Sequence, residues 1–264
     1  MRFIGITFFL LLSLKPCYAN IFNKKNKFQD VEQLVVVTTE NWKSTKGKLM
    51  CFEKTPNGKW QPFFKNHFEV LLGKNGLAWG IGAHKNASKV LKLEGDGRSP
   101  AGIFKIGKVY GESDFLPKGC NYPYHKITEN DAWVDDPNNP LYNQHVMSNS
   151  FKTKPKWFES QRMRLGDPAY RWLIEIKHNS DPPKPGYGSA IFFHVRRGPE
   201  RRTTGCTVMT LENLERLIEF LDKIKKPHYI LLPLKEYSQK RGFINYLDYK
   251  KADGISFNHM SNML

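Results

Sequence analysis

The sequence predicts a mainly β fold with a few helices, and three observations support this prediction. Short runs of β-branched and aromatic residues follow one another from Gln33 to about Gly111, and Gly, Pro or Asn separates each run from the next. These runs do not alternate with helical segments, as they would in a βαβ protein. The clearest amphipathic helix comes late in the chain and follows a cysteine, Cys206. We therefore expect strands to form the core and a helix to pack against them.

Segments of different composition flank the predicted domain. Arg2 precedes the apolar run Phe3–Leu14, and Cys17-Tyr18-Ala19 then offers small residues at the positions that a signal peptidase favours, which is the pattern of a secretory signal peptide. The run is short for a membrane span, and an N-terminal anchor is the alternative interpretation. The predicted organisation is a signal peptide at 1–19, a basic mobile lead-in at 20–30, one domain at 31–234, and a C-terminal tail at 235–264 that either docks or stays mobile.

Five runs give the strongest strand signals. Gln33–Thr39 is rich in β-branched residues, which favour strands. Tyr170–Lys177 alternates apolar and polar residues, which predicts a half-buried strand. Ser189–His194 is more uniformly apolar and is predicted to be more buried. The other two runs are Lys48–Lys54 and Phe68–Gly73.

The predicted helix begins after Thr210, whose hydroxyl can cap the first turn. Apolar residues then recur at helical spacing on one face: Leu211, Leu214, Leu217, Ile218 and Leu221. Lys223, Lys225 and Lys226 are expected at its end, because Pro227 cannot continue a helix. A short strand is predicted at Tyr229–Leu232.

The stretch Ile191–Met209 carries the most chemistry. His194 closes an apolar run, and Cys206 closes the Arg-rich loop that follows. A thiolate nucleophile needs a nearby base, and an imidazole can serve as one. Gly205 allows a tight turn before the cysteine, and the backbone N–H groups of Gly205 and Cys206 are candidate oxyanion donors. The alternative is that Cys206 is a small buried apolar residue.

Four arginines lie in the loop between the histidine and the cysteine. Guanidinium groups favour a thiolate nearby, and they can also hold a substrate carboxylate in a bidentate manner. Arg196 and Arg197 are the first candidates for carboxylate recognition, ahead of Arg201 and Arg202.

The remaining cysteines and histidines give weaker signals. Removal of a signal peptide leaves Cys51, Cys120 and Cys206; the first two either form a disulfide or both stay free. His125, His145 and His178 have no metal-ligand spacing with each other or with Cys120, so we expect no metal site. Asp135-Asp136-Pro137 favours a turn over a site for a cation or an amine.

The charge of the chain restricts its partners. Lys and Arg number 41 against 25 Asp and Glu, a formal net charge of +16. Such a charge favours acidic partners, or serves solubility alone. An exported chain meets envelope polymers rather than nucleic acid, so we expect no nucleic-acid partner.

The sequence resembles the YkuD-type L,D-transpeptidase catalytic domain. The family signature, a His at a strand end followed by Ser/Thr-x-Gly-Cys, matches His194, Thr203, Gly205 and Cys206. Thr204 occupies the position where many members have a second His, and Thr207-Val208-Met209 replaces an Arg or Asn that often follows the Cys. The resemblance extends over residues 33–233, through Glu94–Gly107 (EGDGRSPAGIFKIG), Trp133–Asn143 (WVDDPNNPLYN), and the stretch from Lys177-His178-Asn179 to His194.

The resemblance implies a fold, a substrate and a reaction. The fold would be a β-sandwich or barrel at residues 31–234, with a helix after the catalytic Cys206. The substrate would be a peptidoglycan stem peptide, bound with the help of Thr203, Thr204, His178 and Asn179. The Cys206 thiol would form a thioester, and His194 would act as the base, without a cofactor.

Two alternatives stay open at this point. The same residues can pass the acyl group to water, which gives a carboxypeptidase or endopeptidase, or the domain can be a non-catalytic envelope-binding module. In each case we expect an exported, periplasmic or other envelope protein, monomeric and without a membrane span in its mature chain.

Overall fold

A closed β-barrel forms the centre of the molecule. The computed structural model describes residues 30–84 and 90–239; the predicted signal peptide, nearly all of the lead-in, and the tail beyond residue 239 lie outside this part. Eight strands follow one another in the order β1-β13-β6-β10-β11-β12-β4-β2, and β2 pairs back with β1. Within the described residues, the strands are β1 Gln33–Thr39, β2 Lys46–Lys54, β3 Trp60–Pro62, β4 Phe68–Leu71, β5 Leu77–Trp79, β6 Ser99–Gly111, β7 Tyr124–Lys126, β8 Asp131–Trp133, β9 His145–Met147, β10 Trp172–Ile176, β11 Phe192–Val195, β12 Thr207–Met209 and β13 His228–Pro233. The predicted mainly β, barrel-like fold is confirmed.

The other strands extend this barrel. β3 pairs with β2 along the same edge as β4 but further along the strand, and β5 and β7 pair with the long strand β6. β8 and β9 form a separate antiparallel ribbon. The helices are α1 Phe158–Gln161, α2 Leu211–Phe220 and α3 Leu234–Gln239. In the described part of the chain, no helix combines the length and apolar character needed to cross a bilayer.

Strand β1 shows why the β-branched run folds as it does. Val35 and Val37 point into the main core, while Leu34 and Val36 point into a second cluster on the other face. A strand covered on both faces requires a continuous apolar run, and β1 has one. The predicted bounds of this strand are confirmed.

Strand β10 differs from its prediction. The alternation in the sequence predicted a solvent-facing side that included Glu175, yet every residue of β10 is buried. Glu175 is 4 % exposed and forms an ion pair with Lys177. Glu175 is thus covered inside the strand, whereas Arg171 and Lys177, the other residues predicted to face solvent, are exposed just outside it.

The helix after Cys206 begins as predicted and ends early. Thr210 caps α2 by accepting a hydrogen bond from the Asn213 N–H. The helix ends at Phe220 instead of at Lys226, because the Gln33 side chain binds the backbone there. Its amide donates to the Phe220 carbonyl (2.6 Å) and accepts from the Asp222 N–H (2.8 Å).

The chain continues in regular structure past the predicted domain boundary. Residues 234–239 form α3, and the Tyr237 side chain is 5 % exposed in the second core cluster. The tail was predicted either to dock or to stay mobile, and its first residues dock on the second core cluster.

Candidate active site

Parallel pairing of β11 and β12 brings His194 and Cys206 together. Phe193 lies opposite Thr207 and His194 opposite Val208, so Cys206, just before β12, falls opposite Phe192. Side chains two residues apart on a strand share a face. Cys206 and His194 therefore lie on the same side of the sheet, and both line a cavity of about 270 Å³.

The Cys206 thiol is held by the backbone of β11 and the residues before it. Its sulfur accepts a hydrogen bond from the Phe192 N–H (3.4 Å), and its S–H donates to the Ala190 carbonyl (3.4 Å). Burial raises the pKa of the thiol to about 11, although the Phe192 hydrogen bond and the charges of Arg197 and Lys92 act in the opposite direction. The free protein therefore holds Cys206 as a neutral thiol at neutral pH.

His194 is arranged as a neutral base. Its Nδ1 lies 2.9 Å from the Val195 carbonyl, which can only accept a hydrogen bond. Nδ1 therefore carries the proton, and Nε2 keeps its lone pair. Burial lowers the pKa of His194 to about 4, so the ring is neutral at neutral pH.

Thr203 and Gly205 shape the turn before Cys206. The Thr203 hydroxyl accepts from the Gly205 N–H (3.1 Å) and donates to the Cys206 carbonyl (2.7 Å). The Gly205 N–H, a predicted oxyanion donor, is thus committed to Thr203. A Cβ at Gly205 would lie 2.9 Å from the terminal methyl of Ile191, so a larger residue would require that side chain to shift. Thr203 fixes the turn, whereas Thr204 lines the cavity.

The segment Glu94–Arg98 lies directly beneath this turn, as the resemblance implied. The Arg98 carbonyl lies 3.3 Å from the Cβ position of Gly205. The Asp96 carboxylate accepts from the Arg98 N–H (2.9 Å) and from the buried Lys92 ammonium (2.6 Å). A turn with a charged, hydrogen-bonded interior therefore supports the residues just before Cys206.

The arginines are distributed differently from the prediction. Arg197 lines the cavity, but its guanidinium makes two hydrogen bonds to Asp167, at 3.1 and 2.7 Å. The lining does not include Arg196. Two arginines that the sequence did not single out, Arg162 and Arg164, line the cavity instead. Both lie in a segment without a sequence motif that pointed to them.

Arg164 differs from the other two arginines of the cavity in its partners. Arg162 forms an ion pair with Glu159, and Arg197 forms one with Asp167. Among residues 30–84 and 90–239, Arg164 forms no ion pair, although its charge helps to lower the pKa of Asp167. It is therefore the cavity arginine best placed to receive a carboxylate from outside.

His178 and Asn179, predicted to touch substrate, lie buried behind the cavity. His178 accepts from the Ile81 N–H (3.2 Å) and donates to the Tyr187 carbonyl (2.9 Å). The Asn179 side chain binds the backbone of Lys184 and Gly188. Their polar atoms are satisfied by the protein, so they position the loop that precedes β11.

Asn143 connects this loop to Cys206. Its side-chain oxygen accepts from the Ala190 N–H (3.0 Å), and its amide donates to the carbonyls of His178 (3.0 Å) and Asn179 (2.7 Å). Ala190 has a φ of 53°, which alanine rarely adopts. Asn143 thus holds the strained residue whose carbonyl accepts the Cys206 S–H.

The three cysteines in the described residues are all free. Cys51 and Cys120 therefore do not form a disulfide, and the alternative that both stay free holds in the structure. Cys51 is buried and Cys120 is partly exposed. Cys206 forms no disulfide, and a cysteine has to be free in this way to act as a nucleophile.

Asp135 also lines the cavity, next to Cys206 and the arginines. Burial raises the pKa of its carboxyl, and the nearby Glu94 acts in the same direction. The wall of the cavity thus combines an acidic group with guanidinium groups, an arrangement suited to a zwitterionic ligand.

Comparison with known families gives one finding. The family model YkuD, described as the L,D-transpeptidase catalytic domain, matches residues 65–230, more than half of the chain. Comparison with curated proteins and with solved structures gives no match. The matched range includes both His194 and Cys206 and agrees with the resemblance seen in the sequence.

Proposed function

The chain belongs to the YkuD family of L,D-transpeptidase catalytic domains, which act on peptidoglycan, and we propose that it is an exported, cysteine-dependent L,D-transpeptidase. Cys206 is the proposed nucleophile and His194 the proposed base. The observation that carries this proposal is that both residues line the same cavity, where His194 carries its proton on Nδ1 and Cys206 is a neutral thiol. Export rests on the signal-peptide pattern of residues 1–19.

The first half of the proposed reaction forms a thioester. The Cys206 sulfur attacks the carbonyl at the L-centre of the third stem-peptide residue, and His194 Nε2 takes the thiol proton. The C–S bond forms as the C–N bond breaks, and the leaving D-amino acid receives its proton from His194. Because the free thiol bonds to Ala190, it has to turn toward His194 when substrate enters.

The second half transfers the acyl group to an amine. His194 takes a proton from the acceptor amine, which attacks the thioester and releases the thiol. Asp135 is the proposed contact for a substrate ammonium group, and Arg164 for a carboxylate. Water in place of the amine would give hydrolysis by the same residues.

Mass spectrometry with defined disaccharide-tetrapeptides tests the proposal. The protein expressed from the full chain is incubated with the tetrapeptide beside two variants, Cys206→Ser and Cys120→Ser. We expect a crosslinked dimer, and an acyl-enzyme adduct on Cys206, from the parent and from Cys120→Ser. Cys120 is the matched control, because it is a partly exposed free thiol that the cavity lining does not include.

Each other outcome has a definite meaning. Formation of tripeptide without a crosslinked dimer would show that the protein hydrolyses the tetrapeptide instead of transferring the acyl group to an amine. A dimer formed equally by Cys206→Ser would show that another nucleophile acts. The absence of both an adduct and a product would contradict the enzymatic proposal.

A further inference from the structure

Three side chains on three strands converge at one point beside the proposed active site. His125 lies on β7, Asp131 begins β8 and His145 begins β9. The Nε2 atoms of both histidines lie 2.7 Å from the same oxygen, Oδ1 of Asp131. One ligand atom from each residue lies within 4.8 Å of the other two. The spacing of these residues in the sequence did not indicate a site, because strand pairing brings them together.

The surroundings fix the orientation of the carboxylate. Asp131 is fully buried, and its second oxygen, Oδ2, accepts from the N–H (2.8 Å) and the hydroxyl (2.7 Å) of Thr128. Oδ1 therefore points at the two histidines. Outer hydrogen bonds of this kind orient carboxylate ligands in metal sites.

The histidine rings are also held from the side. Tyr110 packs edge-on against both, with ring centroids at 5.8 Å from His125 and 5.2 Å from His145. The histidine side chains remain 25 % and 17 % exposed, respectively. The cluster is thus fixed on its protein side and reachable by an ion and by water on the other.

We propose that His125, Asp131 and His145 form a binding site for one divalent first-row transition metal ion, for which zinc is the best fit. Two imidazole nitrogens and one carboxylate oxygen form a ligand set that such ions prefer, and water can complete the coordination. The ligand atoms need only small shifts, since atoms around a zinc ion with bonds of about 2 Å are roughly 3.3 Å apart. Each imidazole would carry its proton on Nδ1 and present Nε2 to the ion.

The position of the site indicates a structural role. β7 pairs with the barrel strand β6, whereas β8 and β9 form the separate ribbon. An ion at the cluster would fasten the ribbon to the barrel. Trp133 of the ribbon lines the catalytic cavity and packs on Phe192, with ring centroids 4.8 Å apart. The ion would therefore stabilise one wall of that cavity from behind, and no catalytic step passes through it.

Metal titration of untagged protein expressed from the full chain tests this proposal. Cys206→Ala and Cys120→Ser are present in the parent so that accessible thiols cannot bind the ion. After treatment with a chelator, zinc is titrated in competition with a chromophoric chelator, and cobalt is added as a spectroscopic probe. We expect one zinc per chain, d–d absorption from cobalt without a thiolate band, and a thermal midpoint that rises with zinc concentration.

Single glutamine variants locate the ion. His125→Gln and His145→Gln keep an amide N–H for the Asp131 oxygen but lose the imidazole ligand. Each is expected to weaken zinc affinity by about 100-fold or more. His67→Gln is the matched control, because His67 pairs with Glu69 outside the cluster, and it should leave the affinity unchanged.

Zinc and cobalt binding by the parent protein tests the proposal even if a glutamine variant fails to fold. A chelator-treated parent that takes up no zinc and shows no cobalt d–d bands would overturn the proposal. Binding that both glutamine variants retain, or that His67→Gln removes, would also overturn it.

Discussion

At the scale of single residues, the motif pointed to the proposed nucleophile and base but not to their neighbours. His194 and Cys206 were recognisable because strand end, turn glycine and cysteine lie close in sequence. Arg197 was predicted to bind substrate, yet it is neutralised by Asp167. Likewise, His178 and Asn179 are satisfied by backbone groups of residues 81 and 184–188. Such pairings depend on how loops pack, which local sequence does not encode.

Arg164→Ala should therefore weaken binding of stem-peptide donors. Loss of a hydrogen bond to a carboxylate costs about 1.5–3 kcal/mol, so we expect KM to rise roughly 10- to 100-fold with a smaller change in kcat. Steady-state kinetics with the tetrapeptide donor measure this. Arg201→Ala is the control, because Arg201 is exposed and the cavity lining does not include it. Equal KM values for the two variants would show that Arg164 does not contribute to substrate recognition.

At the scale of elements, runs of apolar residues predicted where strands and the helix start better than where they end. The β-branched run became β1, and Thr210 became the cap of α2. The end of α2 was placed too late, because lysines and Pro227 are local signals. The group that ends the helix is Gln33, which lies on β1 and comes far earlier in the chain.

Replacement of Gln33 by leucine should destabilise the fold. The change leaves the Phe220 carbonyl and the Asp222 N–H without their partner, and each such loss costs about 1–3 kcal/mol. We expect the free energy of unfolding to fall by about 2–4 kcal/mol in urea titrations followed by circular dichroism. Gln61→Leu, at an exposed position of β3, should change it by less than about 0.5 kcal/mol. Similar effects of both substitutions would show that the Gln33 hydrogen bonds are not what stabilises this region.

At the scale of the whole molecule, the sequence predicted a barrel-like fold only through the family resemblance. The composition and turn spacing indicated strands, but not that β13 would lie between β1 and β6. Strand order depends on contacts between distant segments, and these contacts leave no periodic pattern. Burial of whole side chains, including histidines, follows from this packing.

The buried histidines should make stability depend on pH. Burial lowers the pKa of His178 and of His194 to about 4, against about 6.5 in an unfolded chain. Between these values the unfolded chain binds more protons, so the contribution of these two rings to stability is constant above about pH 7 and falls as pH drops from 6.5 toward 4. Each ring contributes about 3 kcal/mol to this loss. Urea unfolding at several pH values measures it.

A His178→Gln variant provides the comparison for that experiment. Glutamine can accept from the Ile81 N–H and donate to the Tyr187 carbonyl, as His178 does, but it does not titrate. The variant should therefore lose less stability between pH 7 and pH 4.5 than the parent. A parent whose stability is flat across this range would contradict the burial of neutral rings.

The place of β13 also bears on how the chain acquires its fold. Residues 228–233 are synthesised after the other strands of the barrel, yet they pair with β1 on one side and β6 on the other. Until they arrive, β1 and β6 each have an edge without that neighbour, and unpaired edges promote aggregation. Pairings between such distant segments close large loops and slow the search for the native state. Folding is thus expected to be slow and post-translational, with the last strand completing the barrel.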